Sequence, residues 1–230
     1  MCGRFTLTTP AQTLAVQFDL TEVPALEPRY NIAPTQPVAA VRIGTESKAR
    51  ELALMRWGLI PFWAKDPSIG ARMINARSET VTEKPSFRTA FRRRRCLVLA
   101  DGFYEWQKLD GAKQPIYVSL QDREAFAFAG LWERWEGSDN GVIESCTLLT
   151  CEPNELLRPI HSRMPVILNP KDHTLWLDHE LQEAERLQTL LSPYPSGRMQ
   201  ASAVSRYVNS PRNEGPECIV PVLSLIHISE

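Results

Sequence analysis

The sequence has few of the features that mark membrane, secreted or strongly basic proteins. No apolar run approaches the ~18 residues that a membrane-spanning helix needs, and no secretory signal pattern opens the chain. The 26 Lys and Arg residues nearly balance the 27 Asp and Glu residues. Because a non-specific binder of polyanions would be more basic, any binding of nucleic acid needs a local patch. We expect a cytoplasmic protein.

Cysteine is also scarce. The five cysteines are odd in number and widely spread, and they form neither a disulfide framework nor a paired C-x-x-C zinc pattern. Reduced thiols are therefore expected. A zinc site would have to combine Cys2, Cys146, Cys151 and His161, and the Cys146-x4-Cys151 spacing is poor for this purpose. We expect no metal and no other cofactor.

The composition is that of a globular protein. At 230 residues and 43% hydrophobic content, the chain can build one sizeable core. Short apolar runs between turn residues favour an α+β fold, a β-rich domain with a mostly antiparallel, curled or barrel-like sheet and a few flanking helices. We assign residues 1–222 to this single domain. The tail Leu223–Glu230 matches no expected element, is of doubtful origin and receives no functional weight.

Local patterns predict the individual elements. Thr8-Thr9-Pro10 is typical of the cap and first turn of a helix with Leu14 and Phe18 on one face. Helical spacing predicts a second helix over Glu180–Leu191, and Asp110-Gly111 indicates a hairpin. Strands are predicted at Val38–Ile43, Glu51–Trp57, Leu97–Trp106, Pro115–Leu120, Ala125–Trp132, Val142–Thr150, Met199–Val204 and Cys218–Val222.

The first four residues, Met1-Cys2-Gly3-Arg4, carry the most specific chemistry. If Met1 is removed, Cys2 presents an α-amine and a thiol on adjacent carbons. An α-amine has a pKa near ~7.7–8.0, so roughly a third of it is free base at about pH 7.5. Such an amine condenses with an aldehyde to an imine, and the thiol can then close a thiazolidine ring. Alternatively, Met1 stays and Cys2 only begins a strand, Cys2–Leu7.

Other candidate groups lie at predicted strand ends and in loops, where functional sites concentrate. They occur in Ile74–Thr80, Arg92–Arg95, Ala100–Trp106, Ile160–Pro165 and Val208–Pro211. Together with the strings MCGRF, RYNIAP and RWGLIPFW, this set resembles the SOS response-associated peptidase (SRAP) family of abasic-site processing proteins. The resemblance runs from Cys2 to about Val222. Each string is weakly specific alone, whereas their order and spacing along one chain are highly specific.

The resemblance implies that Cys2 crosslinks to the ring-opened aldehyde of an abasic site in single-stranded DNA through a thiazolidine. It implies that Asn75, Glu105 and His161 are catalytic, although Ser162 stands where the family usually has Asp or Asn. Crosslink reversal, strand cleavage by β-elimination and autoproteolytic or peptidase-type activity are further implied. The expected partner is single-stranded DNA with abasic sites, and replication-associated factors are further candidates. We expect a monomer that has no membrane partner and is associated with the nucleoid when bound to DNA.

The residue types suit these roles. An imidazole such as His161 both donates and accepts protons near neutral pH. If Tyr104 and Trp106 face the core, strand alternation turns Glu105 to the other face, where burial would favour its neutral form and a nearby ammonium its ionised form. Asn75 can orient the sugar by hydrogen bonds. Structural alternatives are a hydrogen-bonded histidine, a solvated glutamate and, for Asn75, an N-cap ahead of a helix over residues 76–80.

DNA contacts are expected from arginines and exposed aromatic rings. Arg4, Arg77, Arg163 and Arg206 each lie beside a candidate stretch and could converge into a positive groove. Phe62 and Trp63 are candidates for base stacking, and Pro34 is a candidate wedge by analogy with the family. Core packing is expected for Trp57, Trp106, Trp132 and Trp176. The run Arg92–Arg95 is interpreted mainly as a solvated segment before a strand, with a phosphate contact as the alternative.

Two other functions fit parts of the pattern. Cys2 with His161 and Glu105 could act as nucleophile, base and orienting group of a thiol peptidase or another N-terminal-nucleophile hydrolase. The protein could also bind single-stranded DNA without catalysis, with Cys2 incidental.

Overall fold

The computed structural model describes residues 2–109, 111–138 and 141–222. Met1, Asp110 of the predicted hairpin turn and the tail Leu223–Glu230 lie outside these ranges. None of the helices in the described ranges is long and apolar enough to cross a membrane. The α-helices are α1 (Ala11–Phe18), α2 (Arg88–Arg93), α3 (His173–Leu177) and α4 (Ala184–Gln188). Short 3-10 helices cover Pro67–Arg72, Pro170–Asp172, Ser196–Arg198, Arg206–Asn209 and Pro216–Ile219.

Strands dominate the described chain, as the sequence predicts, and the β-rich α+β fold class is confirmed. They are β1 (Phe5–Leu7), β2 (Arg29–Ile32), β3 (Pro37–Ile43), β4 (Arg50–Trp57), β5 (Asn75–Arg77), β6 (Arg95–Ala100), β7 (Gly102–Leu109), β8 (Ala112–Leu120), β9 (Phe126–Glu136), β10 (Val142–Cys151), β11 (Met164–Pro165), β12 (Ile167–Leu168) and β13 (Met199–Ala203).

Five strands close into a barrel. Hydrogen-bonded neighbours run from β10 through β4, β3, β6 and β9 back to β10, and the β10–β4 pair is parallel. β5 also pairs with β10 in parallel, and β11 and β12 add to β10 and β9. Because a parallel pair requires a long connection between its strands, residues distant in sequence meet at β10.

A second, antiparallel sheet, in the order β13-β8-β7-β1-β2, packs against the barrel. Phe5 of β1 meets Trp57 and Phe128 edge to face, with ring centroids 5.0 and 5.7 Å apart. The ring centroid of Phe103 in β7 lies 6.0 Å from that of Phe128. These aromatic pairs join the two sheets into one large apolar core, from which β1 leads back to Cys2.

Most local predictions are confirmed. Helix α1 buries Leu14 and Phe18, and the predicted hairpin pairs Leu109 with Ala112. The predicted strands around residues 38–57, 115–150 and 199–203 are present with small shifts of their ends. Trp57 and Trp176 are fully buried, as expected of core residues.

Three predictions of secondary structure are wrong. Leu97–Trp106 is not one strand, because the chain turns at Asp101 and passes from the barrel strand β6 to β7 of the other sheet. Glu180–Leu191 contains only the short helix α4. Cys218–Val222 is not a strand: it begins within a 3-10 helix, and Pro221 makes an isolated bridge to Val204.

The corner at Asp101 is held by the amino-terminal segment. Its carboxylate accepts hydrogen bonds from the Thr6 hydroxyl at 2.5 Å and from the backbone amides of Thr8 at 2.5 Å and Thr9 at 2.9 Å. The Thr8 and Thr9 hydroxyls also donate to it, at 2.8 and 3.0 Å. These two threonines therefore bind Asp101 and do not cap α1 through their side chains. One buried carboxylate thus joins β1 to the β6–β7 corner.

We expect Asp101→Asn to lower the free energy of unfolding by at least about 2 kcal/mol, because hydrogen bonds to a charged group contribute about 1.5–3 kcal/mol each. In the variant, an amide nitrogen replaces one carboxylate oxygen. This nitrogen cannot accept a hydrogen bond, so some of the threonine donors would lose their acceptor. Urea unfolding followed by tryptophan fluorescence measures the effect, with Asp122→Asn in an exposed turn as the control. Equal midpoints for wild type and Asp101→Asn would contradict this account of the corner.

Candidate active site

Cys2 lies in the interior, three residues before the start of β1. It is fully buried, and its thiol donates to the carbonyl oxygen of Arg4 at 3.6 Å. Burial raises the pKa of the Cys2 thiol well above its usual value, and the nearby Glu105 raises it further. The thiol is therefore protonated at neutral pH.

Asn75 fixes the backbone of Cys2. It is the first residue of β5, opposite Leu148 of β10, so the alternative of a helix N-cap is wrong. The side-chain nitrogen donates to the carbonyl oxygen of Cys2 at 2.8 Å. The side-chain oxygen Oδ1 is buried and accepts no hydrogen bond from the described residues. An acceptor of this kind beside Cys2 is suited to bind a hydroxyl group.

Glu105 is buried on β7, with 2% of its surface exposed, so the alternative of a solvated glutamate is wrong. Alternation along the strand places it on the same face as Phe103, which joins the main core, whereas Tyr104 packs into a second, smaller cluster. Burial raises the pKa of Glu105 to about 7, although the positive charge of the amino terminus opposes this rise. Glu105 can therefore both donate and accept a proton near neutral pH.

His161 lies in the turn between Pro159 and Pro165. Its Nδ1 lies 3.0 Å from the backbone amide nitrogen of Arg163 and 3.1 Å from the carbonyl oxygen of the same residue, so this ring nitrogen is engaged within the turn. Burial lowers the pKa of His161 below its usual value, and the positive charge of the amino terminus lowers it further. The turn is tied to β7 because Gln107 donates to the carbonyl oxygen of Pro159 at 3.2 Å. Gln107 and Glu105 are two residues apart, so both project from one face of β7.

The structure thus brings the four predicted catalytic residues into one region. Asn75 contacts Cys2 directly, Glu105 acts electrostatically on the Cys2 thiol, and the His161 turn is bound to the strand that carries Glu105. Their catalytic roles remain predictions. Across the described ranges, no group of three or more His, Cys, Asp or Glu side chains could hold a metal ion. All five cysteines are buried free thiols.

The four predicted DNA-contact arginines differ in their surroundings. Arg77 and Arg206 are exposed. Arg4 donates to the Asn31 side chain at 2.7 Å and to the carbonyl oxygens of Val208 at 2.9 Å and Asn209 at 3.3 Å. Its guanidinium therefore joins the amino terminus to two other segments within the protein.

Arg163 makes a two-pronged ion pair with Glu79, with N–O distances of 2.6 and 2.9 Å. It also donates to the carbonyl oxygen of Thr150 at 2.5 Å. These bonds hold the His161 turn against the segment that follows β5. Sequence reasoning did not single out Glu79. The available signal was its place as the acidic residue of the candidate stretch Ile74–Thr80, two residues after Arg77.

The predicted base-stacking residues are at the surface. Phe62 and Trp63 expose 56% and 49% of their surface. Trp63 borders an open cleft of about 550 Å³ whose lining includes Lys65 and Arg72. Trp135 donates to the carbonyl oxygen of Ala64 at 2.7 Å and so anchors this loop to β9. Pro34 is half-buried in the turn between β2 and β3.

Comparisons with known proteins agree with the motifs. A family model described as SOS response associated peptidase (SRAP) matches residues 1–211. The abasic site processing protein YoqW of Bacillus subtilis (strain 168) is 45% identical over 223 residues, which cover 95% of this chain and 99% of that protein. The abasic site processing protein HMCES of Xenopus tropicalis is 33% identical over 227 residues, which cover 86% of this chain and 67% of that protein.

Solved structures share the fold. A protein from Bacteroides thetaiotaomicron superposes with a TM-score of 0.87 at 27% identity, covering 96% of this chain and 100% of that one. A protein from Bordetella bronchiseptica gives a TM-score of 0.74 at 28% identity, covering 89% of this chain and 100% of that one. With its motifs, fold and family match in agreement, the chain belongs to the SOS response associated peptidase (SRAP) family.

Proposed function

We propose that this protein processes abasic sites in single-stranded DNA, and that Cys2 forms the covalent crosslink after removal of Met1. The observation that carries the proposal is the position of Cys2, held by Asn75 beside a carboxyl group whose pKa is about 7. Relatives named as abasic site processing proteins, 45% and 33% identical to this chain, support it.

The first step joins the α-amine of Cys2 to the aldehyde carbon of the ring-opened sugar. The amine adds to the carbonyl to give a carbinolamine, and loss of its hydroxyl as water gives the imine. The hydroxyl leaves more easily when a neutral acid protonates it. Glu105 in its protonated form supplies this proton, since burial keeps a large fraction of it neutral near pH 7.

The second step closes the ring. The Cys2 sulfur adds to the imine carbon, the carbon–nitrogen double bond becomes a single bond, and the thiol proton passes to a base. The Glu105 carboxylate left by the first step is a suitable acceptor, and its effect on the Cys2 thiol indicates that the two groups are close. Asn75 orients a sugar hydroxyl through its unpartnered Oδ1, and His161 exchanges protons with the sugar oxygens.

The surroundings of Cys2 favour this chemistry over that of a thiol peptidase. Reactive peptidase thiols have lowered pKa values because a positive group stabilises the thiolate. For the Cys2 thiol, burial and Glu105 raise the pKa by more than the positive charge of the amino terminus lowers it. In thiazolidine formation the amine reacts first and creates an electrophilic imine, so a preformed thiolate is not needed.

Exposed groups near the site supply the strand contacts in this proposal. Arg77 projects from the same face of β5 as Asn75, two residues away, and Arg206 is also exposed. Phe62 and Trp63 offer π-faces for base stacking. Single-stranded DNA also avoids the unpairing cost that a duplex imposes before an internal sugar can be reached.

Cys2→Ala should abolish the denaturant-stable adduct with an abasic single-stranded oligonucleotide, because an imine without ring closure hydrolyses. Intact mass spectrometry should show that the wild-type protein lacks Met1 and gains the mass of the oligonucleotide less one water. Cys218→Ala, which removes another buried thiol, is the control and should form the adduct normally. A stable adduct with Cys2→Ala, or turnover of unrelated peptides by the wild type without any adduct, would overturn the proposal.

Glu105→Gln should slow adduct formation and remove an inflection near pH 7 from its rate–pH profile, since Gln does not titrate. The same change should stabilise the fold. Burial raises the pKa of Glu105 from 4.5 to about 7, so ionising it in the folded protein costs about 3 kcal/mol. The gain in unfolding free energy should be full above about pH 7 and vanish below about pH 4.5. Urea unfolding at pH 8 and pH 4 tests this, and equal gains at both would contradict it.

Arg77 and Arg163 should respond differently to substitution. Arg77→Glu should weaken binding to intact single strands and flatten its salt dependence, because an exposed phosphate contact is lost. Arg163→Gln should slow adduct formation with little change in that salt slope, because it releases the His161 turn from Glu79. Fluorescence anisotropy at several salt concentrations and single-turnover gels separate the two effects. Identical behaviour of both variants would contradict these assignments.

A further inference from the structure

The surface of helix α2 is basic and belongs to no part of the candidate active site. Arg88, Arg92 and Arg93 are exposed, while Ala90 and Phe91 are buried and anchor the helix to the core. None of the three exposed arginines forms an ion pair with a described residue. The arginines of the run Arg92–Arg95 differ in exposure. Arg95 is buried and donates to backbone carbonyl oxygens, including those of Trp176 and Phe91.

These charges do not stabilise the helix that carries them. Arg88 and Arg92 are four residues apart and so lie on one helix face. Like charges at this spacing destabilise a helix by about 0.2–0.5 kcal/mol. No acidic residue lies in the first turn to offset Arg88. A bound anion would relieve this repulsion.

Two adjoining clefts connect the charges. A cleft of about 200 Å³ is lined by Arg88, Thr89, Arg92, Arg93 and Gln182. Arg93 also borders a second cleft, of about 240 Å³, that reaches Lys48 in the β3–β4 turn. Among the described residues, no carboxylate lines either cleft. We call the surface formed by Lys48, Arg88, Arg92 and Arg93 the α2 patch.

The α2 patch is separated from the candidate active site by barrel strands. Asn75 pairs with Leu148, Leu148 with Gly130 and Gly130 with Cys96. Three inter-strand steps of about 4.8 Å place Cys96 about 14 Å from Asn75 along the barrel wall. Arg93 lies three residues before Cys96. An extended ligand could therefore reach both regions, whereas a single nucleotide could not.

We propose that the α2 patch is a second nucleic-acid-binding surface, which binds the phosphodiester backbone outside the candidate active site. Arginine side chains present planar pairs of donors that match phosphate oxygens. The two clefts share Arg93 and therefore offer neighbouring sites for negative charge. A nucleic-acid strand, which carries one phosphate per nucleotide, fits such neighbouring sites better than a single small ion does. The binding is independent of sequence and needs no chemistry at Cys2, so it goes beyond the proposed crosslinking.

The full-length protein with Arg93→Glu tests the proposal, and Arg123→Glu is the matched control. Arg123 is also exposed but borders a different cleft, with Glu124. Binding is measured against intact single strands of about 30 nucleotides at several salt concentrations. Each lost contact to a single strand should reduce the salt slope by about 0.7, so Arg93→Glu should bind less tightly with a flatter slope and Arg123→Glu should match the wild type.

Substrate length separates the α2 patch from the active site. With an abasic strand of about 5 nucleotides, close to the smallest single-strand sites, Arg93→Glu should form adduct at the wild-type rate. If the wild type forms no adduct, the proposed crosslinking fails, while the salt-slope result still decides the proposal for the α2 patch. A duplex of about 30 base pairs shows whether the patch also binds a neighbouring duplex, since affinity for that probe would then fall in Arg93→Glu.

Three results would overturn the proposal. The first is an unchanged affinity and salt slope of Arg93→Glu on the long strand and the duplex. The second is an equal loss in Arg123→Glu, which would indicate a general effect of net charge. The third is a loss confined to vesicles of anionic phospholipid or to an acidic peptide, which would assign the surface to a membrane or a protein instead.

Discussion

The hydrogen bonds between Asp101 and the amino-terminal segment determine where Cys2 lies. The carboxylate accepts from Thr6, Thr8 and Thr9, while Arg4 binds Asn31 and the carbonyl oxygen of Val208. β1 is only three residues long, so its own ladder is a weak anchor. Because these contacts begin two residues after Cys2 and Asn75 binds its carbonyl oxygen, its amine and thiol have little freedom relative to Asn75 and Glu105. Reactive groups on a chain terminus are usually mobile, and here the fold removes that mobility.

Local patterns in the sequence were sufficient where local forces decide the structure. Leu14 and Phe18 identified α1, and alternation along β7 correctly separated Glu105 from Tyr104. The alternative of Asn75 as a helix cap was wrong because its strand exists through pairing with β10, in which its partner Leu148 lies more than seventy residues away. Asp101 interrupts an otherwise continuous apolar run for a similar reason, since its hydrogen-bond partners lie near the amino terminus, more than ninety residues away. Such long-range pairings leave no local signal.

The arginines show the same limit in the electrostatics. In the sequence, Arg4, Arg77, Arg163 and Arg206 appear equivalent because each lies beside a candidate motif. In the fold, Arg163 is bound by Glu79 and Arg4 by backbone carbonyl oxygens, whereas Arg77 and Arg206 are exposed. The run Arg92–Arg95 divides in the same way, because Arg94 pairs with the buried Glu133 and Arg93 faces solvent. Which cations can meet a phosphate depends on partners that the sequence does not reveal.

The long separation between Thr6 and Asp101 also affects the protein during its synthesis. Their hydrogen bond joins residues 95 positions apart. At about 5–20 residues per second, a ribosome needs roughly 5–20 s to add that length of chain. Throughout this interval β1 has no β7 to pair with, so the fold that buries Cys2 is not yet complete. Folding then buries Cys2, so this interval is the natural time for the removal of Met1 in the proposed pathway.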